Sequence, residues 1–381
     1  MQEILRHSNV HVLHELDRLT TLLRDAPGVQ MTELEPYYTW VKNAGEGLRQ
    51  SVEQNLRDLN LGQRDILASI ASETQKVTRF FHMLDQRLAG PVLRARPSDR
   101  LCLRVLRWLH EVHPQTLHIP AAVSDGQFAS YPDPHWPTIY FMPPSAQTGL
   151  LYLPLFFHEF GHLLYACHEA EMDALVEQLQ ETLAELLTPG IQREDLHDRI
   201  EVEKRRTIVE TWYAWAQELF CDAVGLTIGG PAFAHAFSLH LQMLGRGHFS
   251  LPADELARRD HPVTWLRIQL LVHRAREMGH QEDAEILDTR WKTLATALGI
   301  VADYHGFYEE EFLPAIQETI DDMLTEAEPV TYSDELTEST ARASLFSSPI
   351  RLLHDAWQKV RENHDEFRQW EERKIVTFLQ S

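Results

Sequence analysis

Cysteine is scarce in this chain, and acidic residues clearly outnumber basic ones. The three cysteines, Cys102, Cys167 and Cys221, form no CxxC pair, which argues against a disulfide framework and favours a reducing compartment. The 35 Lys and Arg residues face 57 Asp and Glu residues, so the formal net charge is −22. A surface this acidic argues against nucleic acid or an anionic membrane as the main partner.

The sequence also lacks a long apolar run. Its most apolar segment, residues 149–157, is about half the length that a membrane-spanning helix needs. The first seven residues lack the apolar core of a signal peptide. We therefore expect a cytoplasmic protein with no membrane span. With 381 residues, the chain is long enough for a large core and for two or three subdomains.

Apolar residues repeat every three or four positions through most of the chain, which predicts a mainly α-helical protein. Residues 1–115 form an α-helical N-terminal region, which we expect to control access to a cleft or to dock a partner. Beyond it, breaks at Pro and Gly residues delimit helices predicted over 154–188, with a stop at Pro189 and Gly190, and over 200–228, 231–244 and 262–278. The C-terminal region, residues 281–381, is again helical in pattern. Between residues 117 and 154, where prolines are frequent, residues 138–142 are the best strand candidate.

The most specific chemical pattern is the HExxH segment formed by His158, Glu159 and His162. Two histidines four positions apart leave the same face of a helix one turn apart, which suits two nitrogen ligands on one zinc ion. The glutamate between them points to the open side of the metal, where it can take a proton from a bound water. The alternative is a helix with two surface histidines and a solvated glutamate. The apolar flanks, residues 155–157 and 163–165, favour a buried segment instead.

A catalytic zinc site needs a third protein ligand and one position left for water. Glu218 and Asp222, four positions apart in the next long helix, are the best candidates. We expect Glu218 to bind the metal and Asp222 to accept the free ring N–H of a ligand histidine. Glu210 is the alternative third ligand. Cys221, beside these residues, fits a small core residue better than a ligand.

The pattern His158-Glu159-x-x-His162 followed by Glu218-x-x-x-Asp222 resembles the gluzincin metallopeptidases, the class that includes thermolysin. The CAAX prenyl endopeptidases and their relatives are more closely similar. That family often has a Gly before the second motif histidine and a small residue on each side of the Asp.

The same family carries a His-Pro pair with an Arg six positions after the histidine, and His261, Pro262 and Arg267 reproduce this spacing. The resemblance covers about residues 150–270. It implies a zincin-like metallopeptidase core over residues 116–280, with a small β-sheet beside the active-site helix and helical regions, 1–115 and 281–381, on either side. Those endopeptidases are membrane proteins, so only the soluble catalytic core is implied here, and no prenylated membrane substrate.

The resemblance implies one Zn2+ per chain, with Glu159 as general base, His261 as donor to the oxyanion and Arg267 as a support of the site. In gluzincins the strand before the motif helix often binds an extended peptide by edge pairing. The equivalent residues here are Ile139, Tyr140 and Phe141, so we expect them to bind substrate through the main chain.

The sequence therefore predicts a soluble zinc-dependent endopeptidase acting on a protein or peptide substrate. A regulatory protein or ligand acting on the N-terminal helices is a second kind of partner. The alternatives are a zinc-retaining, non-catalytic sensor or partner-binding protein with a zincin-like fold, and a helical scaffold without metal. A second metal site at His7, His11 and His14, which share a helix face, is conceivable, although an ordinary helix surface fits better.

Overall fold

The computed structural model describes residues 1–61, 66–188, 199–243, 249–333 and 347–380. Helix dominates these residues, as the sequence predicts, and one small sheet accompanies it. The helices are α1 Gln2–Arg24, α2 Glu35–Leu61, α3 Leu67–Met83, α4 Gly90–Leu93, α5 Arg100–Glu111, α6 Leu155–Cys167, α7 Glu169–Leu187, α8 Arg199–Met243, α9 Ala253–Leu256, α10 Thr264–Glu277, α11 Gln281–Leu298, α12 Leu313–Ala327, α13 Ile350–Glu362 and α14 His364–Gln380. The strands are β1 Ala121–Ser124, β2 Ala129–Tyr131 and β3 Ile139–Met142.

The chain divides into two compact units. The first comprises Met1–His110, Leu117–Tyr131 and His135–Thr148, and the second comprises Glu111–Thr116, Pro132–Pro134 and Gly149–Ser381. The sheet thus belongs to the unit of the N-terminal helices, and the C-terminal helices belong to the unit of the HExxH helix. This grouping differs from the predicted division at residues 115 and 280. In the second unit, α10, α11, α12 and α13 all pack on α8, so the C-terminal helices share one core with it.

The first unit is built on α1, α2 and α3, each of which buries one apolar face. Their helical spacing follows from leucine and valine residues repeating every three or four positions, and the buried members include Leu16, Val52 and Val77. Asn9 of α1 links the three helices. Its side-chain amide donates to the hydroxyl of Thr74 at 2.8 Å, and its carbonyl oxygen accepts from the amide of Asn55 at 3.1 Å.

The sheet has the order β1-β3-β2, with β1 parallel and β2 antiparallel to β3. The strand predicted at residues 138–142 is present as β3, but it is the central strand. Ile139 pairs with Ala121 on one side and Tyr131 on the other. Edge pairing of a peptide with Ile139, Tyr140 and Phe141 is therefore wrong for this arrangement, because both edges of β3 are already occupied. β1 and β2 have only four and three residues, too few for a clear alternation in the sequence.

Two of the helices predicted for the second unit contain a departure from regular helix. The helix predicted over 154–188 is interrupted at His168 (φ −124°, ψ 32°), which separates α6 from α7. Within α8, Gly230 has non-helical angles (φ 54°, ψ −142°), and Pro231 follows it. The helix break predicted at this Gly-Pro step is confirmed. The stop predicted at residues 189–190 and the helix end at residue 244 lie outside the described residues.

In the described parts of the chain, no helix combines the length and apolar character that crossing a bilayer requires.

Candidate metal centre

The HExxH helix, α6, packs closely on the middle of α8. Gly161 allows this approach: a Cβ atom at that position would lie 2.8 Å from the Cα of Cys221, closer than such atoms can come. Glycine is therefore required by the contact rather than by a backbone angle. The close packing brings the face of α6 that carries His158 and His162 against the face of α8 that carries Glu218. These two faces meet, as expected from the spacing of each pair and the need for a third zinc ligand.

Three potential ligand atoms meet between the two helices. Nε2 of His158 lies 3.5 Å from one carboxylate oxygen of Glu218, and Nε2 of His162 lies 3.6 Å from the other. One nitrogen from each histidine and one oxygen of Glu218 all lie within 4.8 Å of one another. Ligands about 2.1 Å from a tetrahedral zinc stand about 3.4 Å apart, so these separations suit a single zinc ion. No other cluster of this kind occurs among the residues that the structure describes.

The donor set also fits a divalent cation chemically. Two imidazole nitrogens and one carboxylate oxygen are the three protein ligands of one common catalytic zinc type, with one position left for water. Glu218 is only 6% exposed, and its Oε2 atom makes no hydrogen bond of acceptable geometry. A buried carboxylate oxygen is costly unless cations compensate it, and here the guanidinium of Arg267, 3.2 Å from this oxygen, does so in part. The residues present therefore suit a bound metal.

Asp222 supports the first histidine. Its Oδ1 atom lies 2.9 Å from Nδ1 of His158, although the contact falls outside ideal hydrogen-bond geometry. Arg267 in turn donates to both oxygens of Asp222, from Nε at 2.8 Å and from a terminal nitrogen at 2.7 Å. A terminal nitrogen of Arg267 also lies 3.2 Å from Glu218. The structure thus brings together Asp222 and Arg267, the two residues predicted to support the metal site. Arg267 contacts the carboxylates of both Asp222 and Glu218.

Charge and burial shift the pKa values of the two histidines in opposite directions. Burial alone would lower the pKa of His158, but the adjacent Asp222 and Glu218 carboxylates outweigh it and raise the pKa to about 10. Burial and the neighbouring charge of His158 lower the pKa of His162 to about 4. Burial would raise the pKa of Glu218, but His158 and Arg267 lower it far below its usual value. In the metal-free protein, these shifts favour a protonated His158 and a neutral His162 at neutral pH.

Phe237 makes two contacts near the cluster that were not predicted from the sequence. Phe237, beyond the break at Gly230, stacks on the ring of His158 with centroids 5.7 Å apart. The guanidinium carbon of Arg267 lies 4.8 Å from the centre of the Phe237 ring. Phe237 belongs to an apolar stretch, and only the break that returns the chain toward α6 makes it a neighbour of the site.

Cys221 contacts the second histidine. Its Sγ atom lies 3.3 Å from Nδ1 of His162, the ring nitrogen that faces away from Glu218. The thiol is fully buried, and burial raises its pKa well above the usual value. The sequence indicated a small core residue, and the structure adds a contact to a predicted metal ligand.

The predicted catalytic residues are Glu159, on α6, and His261, just before α10. Glu159 directly follows His158 on α6 and is 8% exposed. His261 precedes α10, and its Nε2 atom lies 3.3 Å from Glu218. The side chain of His261 is 57% exposed and that of His162 is 27% exposed, whereas the side chain of Glu218 is buried. The cluster is therefore open to solvent where His162 and His261 lie.

The remaining predicted sites are not part of the cluster. Glu210, the alternative third ligand, is exposed and accepts a hydrogen bond from Arg206 at 2.7 Å. His7, His11 and His14 are exposed on α1 and form no group with metal-ligand spacing. The strand residues Ile139, Tyr140 and Phe141 belong to the first unit.

Comparisons of the chain with protein-family models, with curated proteins and with solved structures found no match.

Proposed function

We propose that this protein is a zinc-dependent endopeptidase of gluzincin type, with a zincin-like core built around α6 and α8. One observation carries the proposal: His158, His162 and Glu218 converge at the separations of zinc ligands, with Glu159 of the HExxH motif beside them. The resemblance to the CAAX prenyl endopeptidase-like family supports the same function. A purely structural zinc site would have no use for the glutamate at position 159.

His158, His162 and Glu218 would hold the ion. When bound, zinc supplies an open coordination position and a Lewis acid that polarises the scissile carbonyl and lowers the pKa of water toward about 7. Glu159 takes a proton from the attacking water and passes it to the leaving amine. His261, on the exposed side, donates a hydrogen bond to the oxyanion through Nε2.

The chain's other residues hold these groups in place. Arg267 orients Asp222 by two hydrogen bonds, and Asp222 fixes the ring of His158. The substrate class that follows is a protein or peptide that reaches the cluster from the side of His162 and His261. Control of access by the N-terminal helices, and the cytoplasmic location predicted from the scattered cysteines, remain parts of this proposal.

The test is the substitution Glu159→Gln in the full chain. We expect the purified wild type to contain one zinc per chain and to hydrolyse members of a peptide library. The Glu159→Gln variant should keep the zinc and lose hydrolysis by about 10³-fold or more, because general-base catalysis is removed. Elemental analysis and mass spectrometry of cleaved peptides measure the two quantities.

Glu210→Gln is the matched control, since it makes the same change at an exposed glutamate of α8. It should leave both zinc content and hydrolysis unchanged. A wild type that retains zinc and cleaves no peptide would support the sensor alternative. A wild type that binds no zinc, or a Glu159→Gln variant that remains fully active, would contradict the proposed function.

A further inference from the structure

Three residues on one face of α8 each contact a residue in the stretch of chain that ends within α10. Trp215, Glu218 and Asp222 follow one another at spacings of three and four, which places them on a common face of the helix. Their partners lie in the same order along the chain: Trp215 contacts Arg259, Glu218 contacts His261, and Asp222 contacts Arg267. Two of these three contacts belong to the proposed metal site, and the first has no assigned role.

The contact of Trp215 is a hydrogen bond to the main chain. Its Nε1 atom donates to the carbonyl oxygen of Arg259 at 3.0 Å. The indole is fully buried and packs against Trp212, with ring centroids 5.5 Å apart, and against Phe307, with centroids 5.8 Å apart. A donor on so rigid a side chain fixes the position of the carbonyl that it binds. That carbonyl lies two residues before His261.

His261 depends on its backbone for its position. Its side chain is 57% exposed, so packing around the imidazole restrains it little. The chain is anchored on either side by Leu256, which is fully buried, and by Val263, which is 2% exposed. Pro262 disfavours helical backbone at His261, which limits the conformations that this residue can adopt. Between Leu256 and Pro262, the hydrogen bond from Trp215 ties this stretch to the helix that carries Glu218.

We propose that Trp215 is a positioning residue for His261: by holding the carbonyl of Arg259, it keeps the imidazole beside Glu218, where the oxyanion develops. This inference rests on the proposed function. It assigns Trp215 an effect on the rate of hydrolysis, although this residue is neither a proposed metal ligand nor a residue that supports one directly. Trp215 touches neither the metal position nor the substrate, and it acts through the main chain between residues 259 and 261.

The test compares Trp215→Phe with Trp357→Phe in the full, zinc-loaded chain. Trp357 is the control because it is also buried in the second unit and donates from Nε1 to a main-chain carbonyl, that of Leu151, at 3.2 Å. We expect Trp215→Phe to lower kcat and kcat/KM together, by about tenfold, with unchanged zinc content, since small misplacements of a transition-state donor are costly. Trp357→Phe should change kcat by less than about twofold, with a comparable fall in melting temperature.

A double-variant cycle with His261→Ala separates positioning from general structural damage. If Trp215 acts through His261, Trp215→Phe should cause no further loss of kcat in the His261→Ala background. Should Trp215→Phe fail to fold, benzothienylalanine at position 215 keeps the shape of the ring and removes the N–H donor, and the same result is expected.

Two results would overturn the inference. One is an equal loss of kcat from Trp215→Phe with and without His261, and the other is a loss of the same size in Trp357→Phe. Either result would leave the proposed function standing as long as Glu159→Gln retains zinc and loses hydrolysis. An active Glu159→Gln variant would instead contradict the proposed function itself, so the two failures are distinguishable.

Discussion

Arg267 and Asp222 form a buried bidentate ion pair, with both hydrogen bonds between 2.7 and 2.8 Å. Because Arg267 also lies 3.2 Å from Glu218, its single charge compensates two buried carboxylates. Burial would lower the pKa of the guanidinium, but these carboxylates raise it above its usual value. The pair therefore links the stability of this region to the geometry of the proposed metal site.

Removing that charge should be costly. We expect Arg267→Leu to lower the free energy of unfolding of the metal-free protein by about 3–5 kcal/mol, because it leaves two buried carboxylates with only the protonated His158 as a cation beside them. Urea denaturation measures this change. Arg276→Leu is the control, since Arg276 lies on the same helix and pairs with Glu285 and Asp288 near the surface. It should cost about 1 kcal/mol or less, and equal losses in the two variants would contradict the argument.

Zinc uptake should release a proton from His158. The pKa of His158 is raised to about 10, so the metal-free site holds a proton that zinc must displace. The pKa of His162 is lowered to about 4, so this ring is already neutral above that pH. Zinc affinity should therefore rise about tenfold per pH unit between pH 5 and pH 7. Isothermal titration calorimetry at pH 6, in buffers of different ionisation enthalpy, should show one proton released per zinc.

The direction of the pKa shift of His158 can also be checked by measuring the stability of the metal-free protein as a function of pH. Because the folded pKa of His158 exceeds its unfolded value of about 6.5, the metal-free protein gains stability from this proton below that pH. The contribution should be lost as pH rises toward about 10. Release of no proton, or of two, at pH 6 would contradict the assignment of charge to the site.

Gly161 should not tolerate a methyl group. The Cβ atom of alanine would meet the backbone of Cys221 at 2.8 Å, so α6 and α8 would have to separate. We expect Gly161→Ala to lower the melting temperature and to weaken zinc binding by tenfold or more. A loss of about this size is typical when a group that supports a metal ligand is removed. Gly47→Ala is the control on α2, where nothing lies within 4 Å of the new atom. That change should stabilise the protein slightly, by about 0.5–1 kcal/mol. Unchanged zinc affinity in Gly161→Ala would argue against close helix packing as a condition for the site.

Cys221 should influence the metal through His162. Removing the thiol with Cys221→Ala takes away the contact at Nδ1, and we expect zinc affinity to fall about tenfold. Cys102→Ala removes an equally buried thiol, which donates to the carbonyl of Asp99 in the first unit. This control should leave zinc affinity unchanged, as measured by competition with a chromogenic chelator. Equal zinc affinities of the two variants would assign Cys221 to packing alone.

The helical class and the two residue pairs of the cluster could be predicted because both depend on short-range spacing, whereas the pairing of the two helices was expected from the need for a third zinc ligand and from the family resemblance. Residues four apart on a helix share a face whatever surrounds them, so the His158–His162 pair and the Glu218–Asp222 pair follow from the sequence directly. The break at Gly230 could also be predicted from the sequence, since glycine followed by proline ends a regular helix.

Contacts that depend on how the chain returns in space could not be predicted. Phe237 reaches His158 only because the chain changes direction at Gly230. The central position of β3 depends on two neighbouring strands that are too short to have a recognisable pattern. The interruption at His168 leaves the apolar periodicity of α6 and α7 nearly continuous, so the sequence suggested one helix where there are two.

The stacking of Phe237 between His158 and Arg267 has a consequence for how the centre can be reached. An aromatic ring covers one side of the first imidazole, while the second imidazole and His261 remain partly in water. In the proposed enzyme, ions and substrate would therefore reach the centre from a single side. The side that Phe237 covers would shield the first imidazole from water.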